Sequence, residues 1–376
     1  MFSNNRNSKP LFFDKATIVS FILLYFWLLY GTIAIYWSAN KEVAIKEIYY
    51  LLVFSVLITV IVYLFREIDY LKKFCRFNVI VFLTLLLVSV FEILTGVHLP
   101  TSRFVIEDVS QSGFISRATG FFYNENDLSY FLTIYAPFLF VQTVRQKNRI
   151  IMLAMYILSL MICTINDSKI ALIGFIFQIA LFLIVKFWKQ KRALLYIVTP
   201  ILTLIIILFE SLTGIFRNQF ELISSQISEK YGSVYLRIKL AENGLRNLFN
   251  SYLLGNGPGN FQVNTTKIIT NANLENPHNW WIEILSNYGV LVFIGFVIVY
   301  LYILSRLIMA YRNTKNTNYF KLNNFYFMAI LSWSVFSISS LSSSSIFYSY
   351  TFWLLWAIIL LSIEVYSKSK YLKKPK

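Results

Sequence analysis

The chain has 376 residues, 57% of them hydrophobic and only 14% charged, with 34 Lys and Arg against 18 Asp and Glu for a formal net charge of +16. A mean hydropathy of +0.61, gathered into apolar stretches of roughly 20 residues, excludes a soluble globular domain and indicates a polytopic helical membrane protein. The positive charge does not indicate a nucleic-acid binder, because most basic residues fall in short clusters beside the apolar stretches.

Ten spans are predicted in a single all-α membrane domain over 1–376: 17–37, 48–65, 77–96, 128–144, 150–164, 170–187, 193–210, 282–303, 325–343 and 347–366. The first is too long for a signal-peptide core and lacks a small-residue cleavage site, so it reads as a retained anchor. Basic clusters at Arg6/Lys9/Lys15, Arg66/Lys72/Lys73/Arg76, Arg145/Lys147/Arg149, Lys186/Lys189/Lys191/Arg192, Arg306/Arg312/Lys315/Lys321 and 368–376 alternate with poorer loops. Under the positive-inside rule this puts both termini in the cytoplasm. Cys75 falls in an inner loop and Cys163 near the outer end of a span, so no pairing, zinc site or redox chemistry is expected.

Two outer loops are long, 97–127 and 211–279. In the first, His98 beside Leu99-Pro100 reads as interfacial and Asp127 as a cap of the fourth span. The acidic pairs Glu107-Asp108 and Glu125-x-Asp127 read as solvated, or as metal ligands if the protein is a metal-dependent glycosyltransferase. The second loop is large enough for an extracytoplasmic subdomain between spans seven and eight. Within it, residues 234–249 have helical periodicity: Val234, Ile238, Ala241, Leu245 and Leu248 form an apolar stripe opposite Lys239, Glu242 and Arg246. Arg237 projects onto the edge of that stripe. It is either an arginine snorkelling at headgroup level or an anion clamp, its planar fork suited to phosphate.

The run Gly255-Asn256-Gly257-Pro258-Gly259-Asn260-Phe261 lacks the Gly-Lys-Ser/Thr ending of a P-loop. It is either a tight turn or a set of backbone N–H groups offered to an anion. The chain then re-enters the membrane. Asn276 is the expected N-cap and Pro277 the first helical residue, which puts His278 in the first turn, where the helix dipole favours the neutral imidazole. A neutral histidine at a membrane boundary is a candidate base. Asn279, Glu283 and Asn287 follow at i, i+4 and i+8, a polar stripe of the kind that faces a bundle interior or a wet cavity. Trp280 and Trp281 fit an interfacial belt, and the serines of 337–345 suit helix packing or, in a transporter, a polar path.

Taken in order, these residues resemble a known family. Arg117-x-x-Gly120-Phe121 with Asn124-x-Asn126, then Asp167-Ser168-Lys169, then Arg237, Gly255-x-Gly257-x-Gly259-x-Phe261, His278-Asn279 and Gly289 resemble the bacterial O-antigen ligase and polymerase superfamily, which includes teichuronic acid and capsule polymerases. The resemblance covers roughly 117–289 and lies in the order of several short motifs. Lys169 stands where the family has arginine, and Asn287 where many members carry glutamate.

The resemblance implies a polymerase that transfers glycan from an undecaprenyl-diphosphate-linked oligosaccharide to an acceptor sugar hydroxyl at the outer face of the bacterial cytoplasmic membrane. It implies inversion by single displacement, with no metal or other cofactor. On this reading His278 deprotonates or orients the acceptor hydroxyl, and Arg237 with Arg117 binds the diphosphate. Lys169 and the backbone at Gly255, Gly257 and Gly259 add to donor binding, and Asn279 or Glu283 positions the histidine. The implied partners are the lipid-linked oligosaccharide, membrane lipid, and the chain-length regulator and flippase of the same pathway. One alternative is a ligase that moves finished glycan to a lipid or wall acceptor. Another, of a different class, is a flippase of lipid-linked oligosaccharide, against which stand the lack of an inverted repeat and the clustering of the motifs on one side.

Overall fold

A computed structural model describes residues 13–106, 117–141, 146–187, 233–261, 278–314, 322–341 and 345–372, and within these the regular elements are helices. In chain order they are α1 (Lys15–Ala34), α2 (Lys41–Leu64), α3 (Ile68–Thr95), the single turn α4 (Arg103–Ile106), α5 (Glu125–Tyr135), α6 (Gln146–Ile165), α7 (Lys169–Phe187), α8 (Ser233–Asn250), α9 (Trp280–Asn313), α10 (Leu322–Ser339) and α11 (Tyr350–Leu372). Among the described residues six stretches are long and apolar enough to cross a membrane: Lys15–Trp37, Lys41–Leu64, Ile68–Thr95, Lys169–Phe187, Trp280–Thr314 and Tyr350–Lys368. They overlap the predicted first, second, third, sixth, eighth and tenth spans, while α6 and α10 overlap the fifth and ninth. The seventh, 193–210, lies outside the described residues.

The fourth span departs from expectation. Its helix α5 stops at Tyr135 and continues as a 3-10 turn over Ala136–Phe140 with Pro137 near its start. Proline has no N–H to give to the preceding turn, so the hydrogen-bond ladder cannot run on unchanged through it. Nor does Asp127 cap this helix: the cap is Asn124, whose side chain accepts from the Asp127 N–H at 2.9 Å. Cys75 lies buried within α3 instead of in a loop.

The centre of the bundle is α11. Its membrane-crossing stretch is 83% buried, against 33% or less for the other five, as expected of a helix that is apolar all round. Aromatic rings fill the space around it. Trp27 of α1 packs against Tyr288, Phe347 and Trp280 at centroid separations of 5.4, 5.6 and 6.1 Å. Trp280 is 1% exposed, so it belongs to this core and not to an interfacial belt. Edge-to-face pairs of this kind add roughly 0.5–1.5 kcal/mol each beyond burial.

The helices cross alternately, and polar contacts mark the two ends. One end is basic: Asp14 accepts from Arg306 and Ser367, its N–H donates to Glu364 at 2.7 Å, and Glu364 pairs with Arg66 at 3.8 Å. The opposite end gathers the α1–α2 connection, the end of α3, the starts of α5, α7 and α9, and the end of α10. The candidate site residues lie there.

Candidate active site

The glycine run is built into a break in α9. Gly289 has φ 75° and ψ −177°, which interrupts the helix. In an unbroken helix the Val290 N–H would donate to the Ser286 carbonyl; here it donates to Leu253 O at 3.0 Å. The released carbonyls of Ser286 and Asn287 instead accept from Asn256 N–H (2.8 Å) and Gly257 N–H (3.0 Å), and the Asn287 side chain accepts from Phe261 N–H at 2.9 Å. Gly255 N–H donates to Ser251 Oγ at 2.9 Å, and Gly259 N–H donates to Glu47.

The N–H groups of Gly255, Gly257 and Gly259 are therefore engaged within the fold, which supports the tight-turn alternative over an anion cradle. Space gives the same answer. A Cβ on Gly255 would lie 2.5 Å from Gly289 N, one on Gly257 1.9 Å from Ser38 Oγ, and one on Gly259 2.5 Å from Val43 Cγ1. All three have positive φ, between 67° and 92°.

Glu47, on the second turn of α2, anchors this assembly. It is 1% exposed and accepts from Tyr288 OH at 2.8 Å and from Asn287 Nδ2 at 3.5 Å. A buried carboxylate in an apolar span is costly unless its lone pairs are filled, and three donors fill them here. Asn287 thus faces a second carboxyl-bearing helix, with its side chain committed to the run on one side and to Glu47 on the other.

His278 immediately precedes α9. The expected helix start is off by one turn: Asn276 and Pro277 lie outside the described residues, and the N-cap is Asn279, whose side chain accepts from Trp281 N–H and Ile282 N–H at 3.1 and 3.3 Å. His278 is consequently outside the first turn, half-buried, with φ 46°. For an L-residue with a side chain that conformation costs roughly 1–2 kcal/mol. Trp280 N–H is held by Ser340 O at 3.0 Å, which fixes where the helix begins. Glu283, on the next turn, is 3% exposed and accepts from Ser345 Oγ.

Helix α8 lies against the start of α9 through only part of the stripe its sequence suggests. Leu248 of that stripe is buried, but Ile238 and Leu245 are 46% and 41% exposed, and Leu240, Asn243 and Asn247 are buried in their place. The reason is Gly244, where a Cβ would lie 2.4 Å from Ile282 Cγ2 and 3.1 Å from Phe261. Close approach at one glycine has set the face.

Seven residues before Gly244, two turns and roughly 10 Å along the helix, Arg237 lies on that same face. The chain runs from the Gly244–Ile282 contact towards the Leu253–Val290 hydrogen bond, in the direction of α9. Arg237 therefore extends past the N-terminus of α9, on the side of His278. It is solvent-accessible, yet desolvation by surrounding protein lowers its guanidinium pKa.

A second basic group lies across the last turn of α10. Arg117 NH1 and Arg103 NH2 approach the same oxygen of Glu125, at 3.2 and 2.6 Å, and Arg117 NH2 lies 4.0 Å from Asp167. The loop carrying Arg117 is tied down on both sides. Asn166 takes and returns hydrogen bonds with Ala118 (2.8 and 2.9 Å), and Glu92 accepts from Thr119 N–H and Gly120 N–H at 2.8 and 2.7 Å. Lys169 opens α7 two residues after Asp167, whose φ is 53°.

The two groups face each other across Ser337–Ser340. On one side Ser340 O and Ser337 O accept from Trp280 N–H and Trp281 Nε1; on the other, a Cβ on Gly174 of α7 would sit 3.2 Å from Ser339 Oγ. The side chain of His98, expected at the interface, is 7% exposed, with Nδ1 3.5 Å from Glu92 and its ring 4.7 Å from Phe104. Glu107 and Asp108 lie outside the described residues. Among the described residues no group of three or more His, Cys, Asp and Glu side chains is arranged to hold a metal.

Fold and site together define a polytopic helical membrane protein with basic groups and a strained histidine gathered at one end of its bundle. Residues 153–297 match the family described as "O-Antigen ligase", a stretch that holds Lys169, Arg237, the glycine run, His278 and Gly289. Over this stretch the chain is similar to that family, a likeness that implies a membrane glycosyltransferase. It is also a distant homologue of the "Teichuronic acid biosynthesis protein TuaE" of Bacillus subtilis (strain 168), 24% identical over 367 residues that cover 94% of this chain and 74% of the relative. Arg117 lies upstream of the matched stretch and is reached only by the longer alignment or the motif itself.

Proposed function

We propose that this protein is a polysaccharide polymerase of the cell surface, extending a glycan by transfer from an undecaprenyl-diphosphate-linked oligosaccharide to an acceptor sugar hydroxyl. What supports the reading is that His278 on a left-handed backbone at the start of α9, Arg237 on the α8 face that packs against α9, and Arg117 beside Glu125 all belong to one end of the bundle. A departing diphosphate needs cations and an attacking hydroxyl needs a base, and these are the residues of the right kinds. His278 takes or orients the acceptor proton, Arg237 and Arg117 hold the diphosphate, and Lys169 adds charge at the start of α7. Glu283, one turn into α9, positions the histidine end of the site. The relative's role in teichuronic acid biosynthesis suggests an acidic wall or capsule polymer as the product class.

In this reading the ten spans leave both termini in the cytoplasm, because the Arg66, Lys72, Lys73, Arg76, Arg306 and Lys368 groups lie at the end opposite the site. The site then faces outside, where the donor has already been flipped. The displacement is inverting and requires no metal ion.

The test is a purified preparation given lipid-diphosphate repeat units and scored for product length. Wild type should make a ladder of long products, and His278→Ala or Arg237→Ala should make none while still reaching the membrane. Ladders of normal length from either variant would remove that residue from the mechanism. The family description favours a second outcome, in which finished glycan moves unchanged to a lipid or wall acceptor. A ligase would leave repeat units unextended and transfer preformed polymer in the same assay.

A further inference from the structure

We propose that the protein binds an anionic phospholipid in a groove at the basic end of the bundle, independently of the glycan reading. A cavity of about 330 Å³ opens between α2, α3, α5 and α11, with walls that include Ile61, Phe74, Phe77, Val81, Phe131 and Ile358. Its lining is almost wholly apolar. Asn78 is the polar exception, and its amide donates to Tyr135 O at 3.4 Å, so it closes the wall.

The groove is not part of the candidate site. Its α3 residues run from Tyr70 to Val81, whereas Glu92, which holds the Arg117 loop, lies 11 residues beyond Val81, roughly 16 Å along the helix. The opening is therefore in the half of the bundle that carries the basic clusters. A membrane protein has no water there to fill an apolar slot, so the occupant is a hydrocarbon chain.

Charge decides which lipid. At the mouth, Arg66 is paired with Glu364 at 3.8 Å and Lys72 with Asp69 at 2.6 Å. Lys73 and Arg76 are both exposed, and among the described residues neither has an ion pair. Lys73 projects beside the groove's own stripe of Tyr70, Phe74 and Phe77, with Nζ 4.9 Å from the Tyr70 ring centroid. Phe77 is 64% exposed, continuing the apolar surface outward from the slot. A chain lying in the groove thus brings its phosphate to Lys73, while Arg76, one turn on, adds positive charge to the same helix, and a headgroup with net negative charge is favoured over a zwitterionic one.

The full chain, purified in detergent, is titrated with phosphatidylglycerol or phosphatidylcholine of the same acyl chains and read by native mass spectrometry and thermal melting. Wild type should retain phosphatidylglycerol with a preference on the order of tenfold. The surface variant Lys73→Gln/Arg76→Gln should lose the preference and keep weak retention of both lipids. Val81→Trp, which fills the groove, should lose retention of both. Equal retention of the two lipids by wild type overturns the proposal, and so does an undiminished preference in the surface variant. Displacement of phosphatidylglycerol by substoichiometric polyprenyl phosphate also overturns it, since the slot would then serve an isoprenoid tail. Because Lys73 and Arg76 are exposed, that variant is informative even if Val81→Trp fails to fold.

Discussion

Gly257→Ala tests whether the glycine run is scaffold. A methyl group there would lie 1.9 Å from Ser38 Oγ, 2.9 Å from Ser38 Cβ and 3.2 Å from Ala34 O, on a backbone with φ +92°. The positive φ costs roughly 1–2 kcal/mol for an L-residue and the overpacking a further 1–3 kcal/mol, so the total loss is about 2–5 kcal/mol. Two of the three contacts belong to one side chain, and this makes the estimate divisible. Ser38→Gly removes both, leaving the φ penalty and the Ala34 contact. A double-mutant cycle by thermal or chemical denaturation in detergent should therefore show Ser38→Gly recovering about 1–3 kcal/mol in the Gly257→Ala background. Gly255→Ala is the control: its Cβ would lie 2.5 Å from Gly289 N and 2.6 Å from Asn287 O, backbone atoms that no substitution removes. It should be at least as damaging, and Ser38→Gly should not relieve it. The reasoning is refuted if Gly257→Ala is as stable as wild type, or if Ser38→Gly rescues both glycine variants equally.

Further expectations follow from the carboxylates and from Arg237. Glu47→Ala leaves Tyr288 OH, Gly259 N–H and Asn287 Nδ2 without their acceptor and should cost about 2–4 kcal/mol, while Glu47→Gln, which keeps an acceptor oxygen, should cost less than half of that in the same denaturation assay. Glu125→Gln removes the charge shared by Arg103 and Arg117, which are 31% and 24% exposed; the resting protein should lose on the order of 1–2 kcal/mol, and added pyrophosphate should restore more melting temperature to it than to wild type. Failure of pyrophosphate to discriminate would mean that these arginines do not meet the donor's phosphates. Arg237→Lys keeps charge and loses the planar fork, so product formation should fall by about tenfold or more; an unchanged rate would show that Arg237 acts only as a point charge.

Much of the bundle is legible in the sequence because membrane spans obey a local rule, a run of apolar residues of fixed length. The exceptions have local causes that compete with that rule. Pro137 ends α5 early although the apolar run continues. At the start of α9 two asparagines, Asn276 and Asn279, have equal capping chemistry, and the choice falls to Ser340 through its hydrogen bond to Trp280 N–H. On α8 part of the apolar stripe, Ile238 and Leu245, points away from the packing, because Gly244 admits Ile282 more closely than any side chain would. What local reading does not reach is partnership. Glu47 and Asn287 are 240 residues apart, and Arg103 and Glu125 are 22 apart across a long loop. Their signal is nonetheless present: an ionisable residue at or inside an apolar run, as at Glu47 and Glu92, must have found a partner.

The same contrast separates scaffold from chemistry at the site. Residues whose polar atoms are already spent, Asn287 on Phe261 and Glu47, and the glycine N–H groups on their acceptors, hold the backbone and have little left to offer a substrate, and the Asn279 side-chain oxygen is likewise engaged on its cap. They fix the start and the kink of α9, and on the other side Asn166 and Glu92 fix the Arg117 loop. Between these supports the backbone is held at His278 and Asp167 with φ 46° and 53°. Strain of this size persists only where neighbours over-determine the conformation, and both residues sit directly beside a fixed helix start. The residues that resemble the family's motifs are thus of two physical kinds. The glycines, with Asn287 beside them, build the frame; on the proposed reading, His278, Arg237 and Arg117 are what the frame presents. A substitution of the first kind should act through folding, and one of the second through turnover in a protein that still folds.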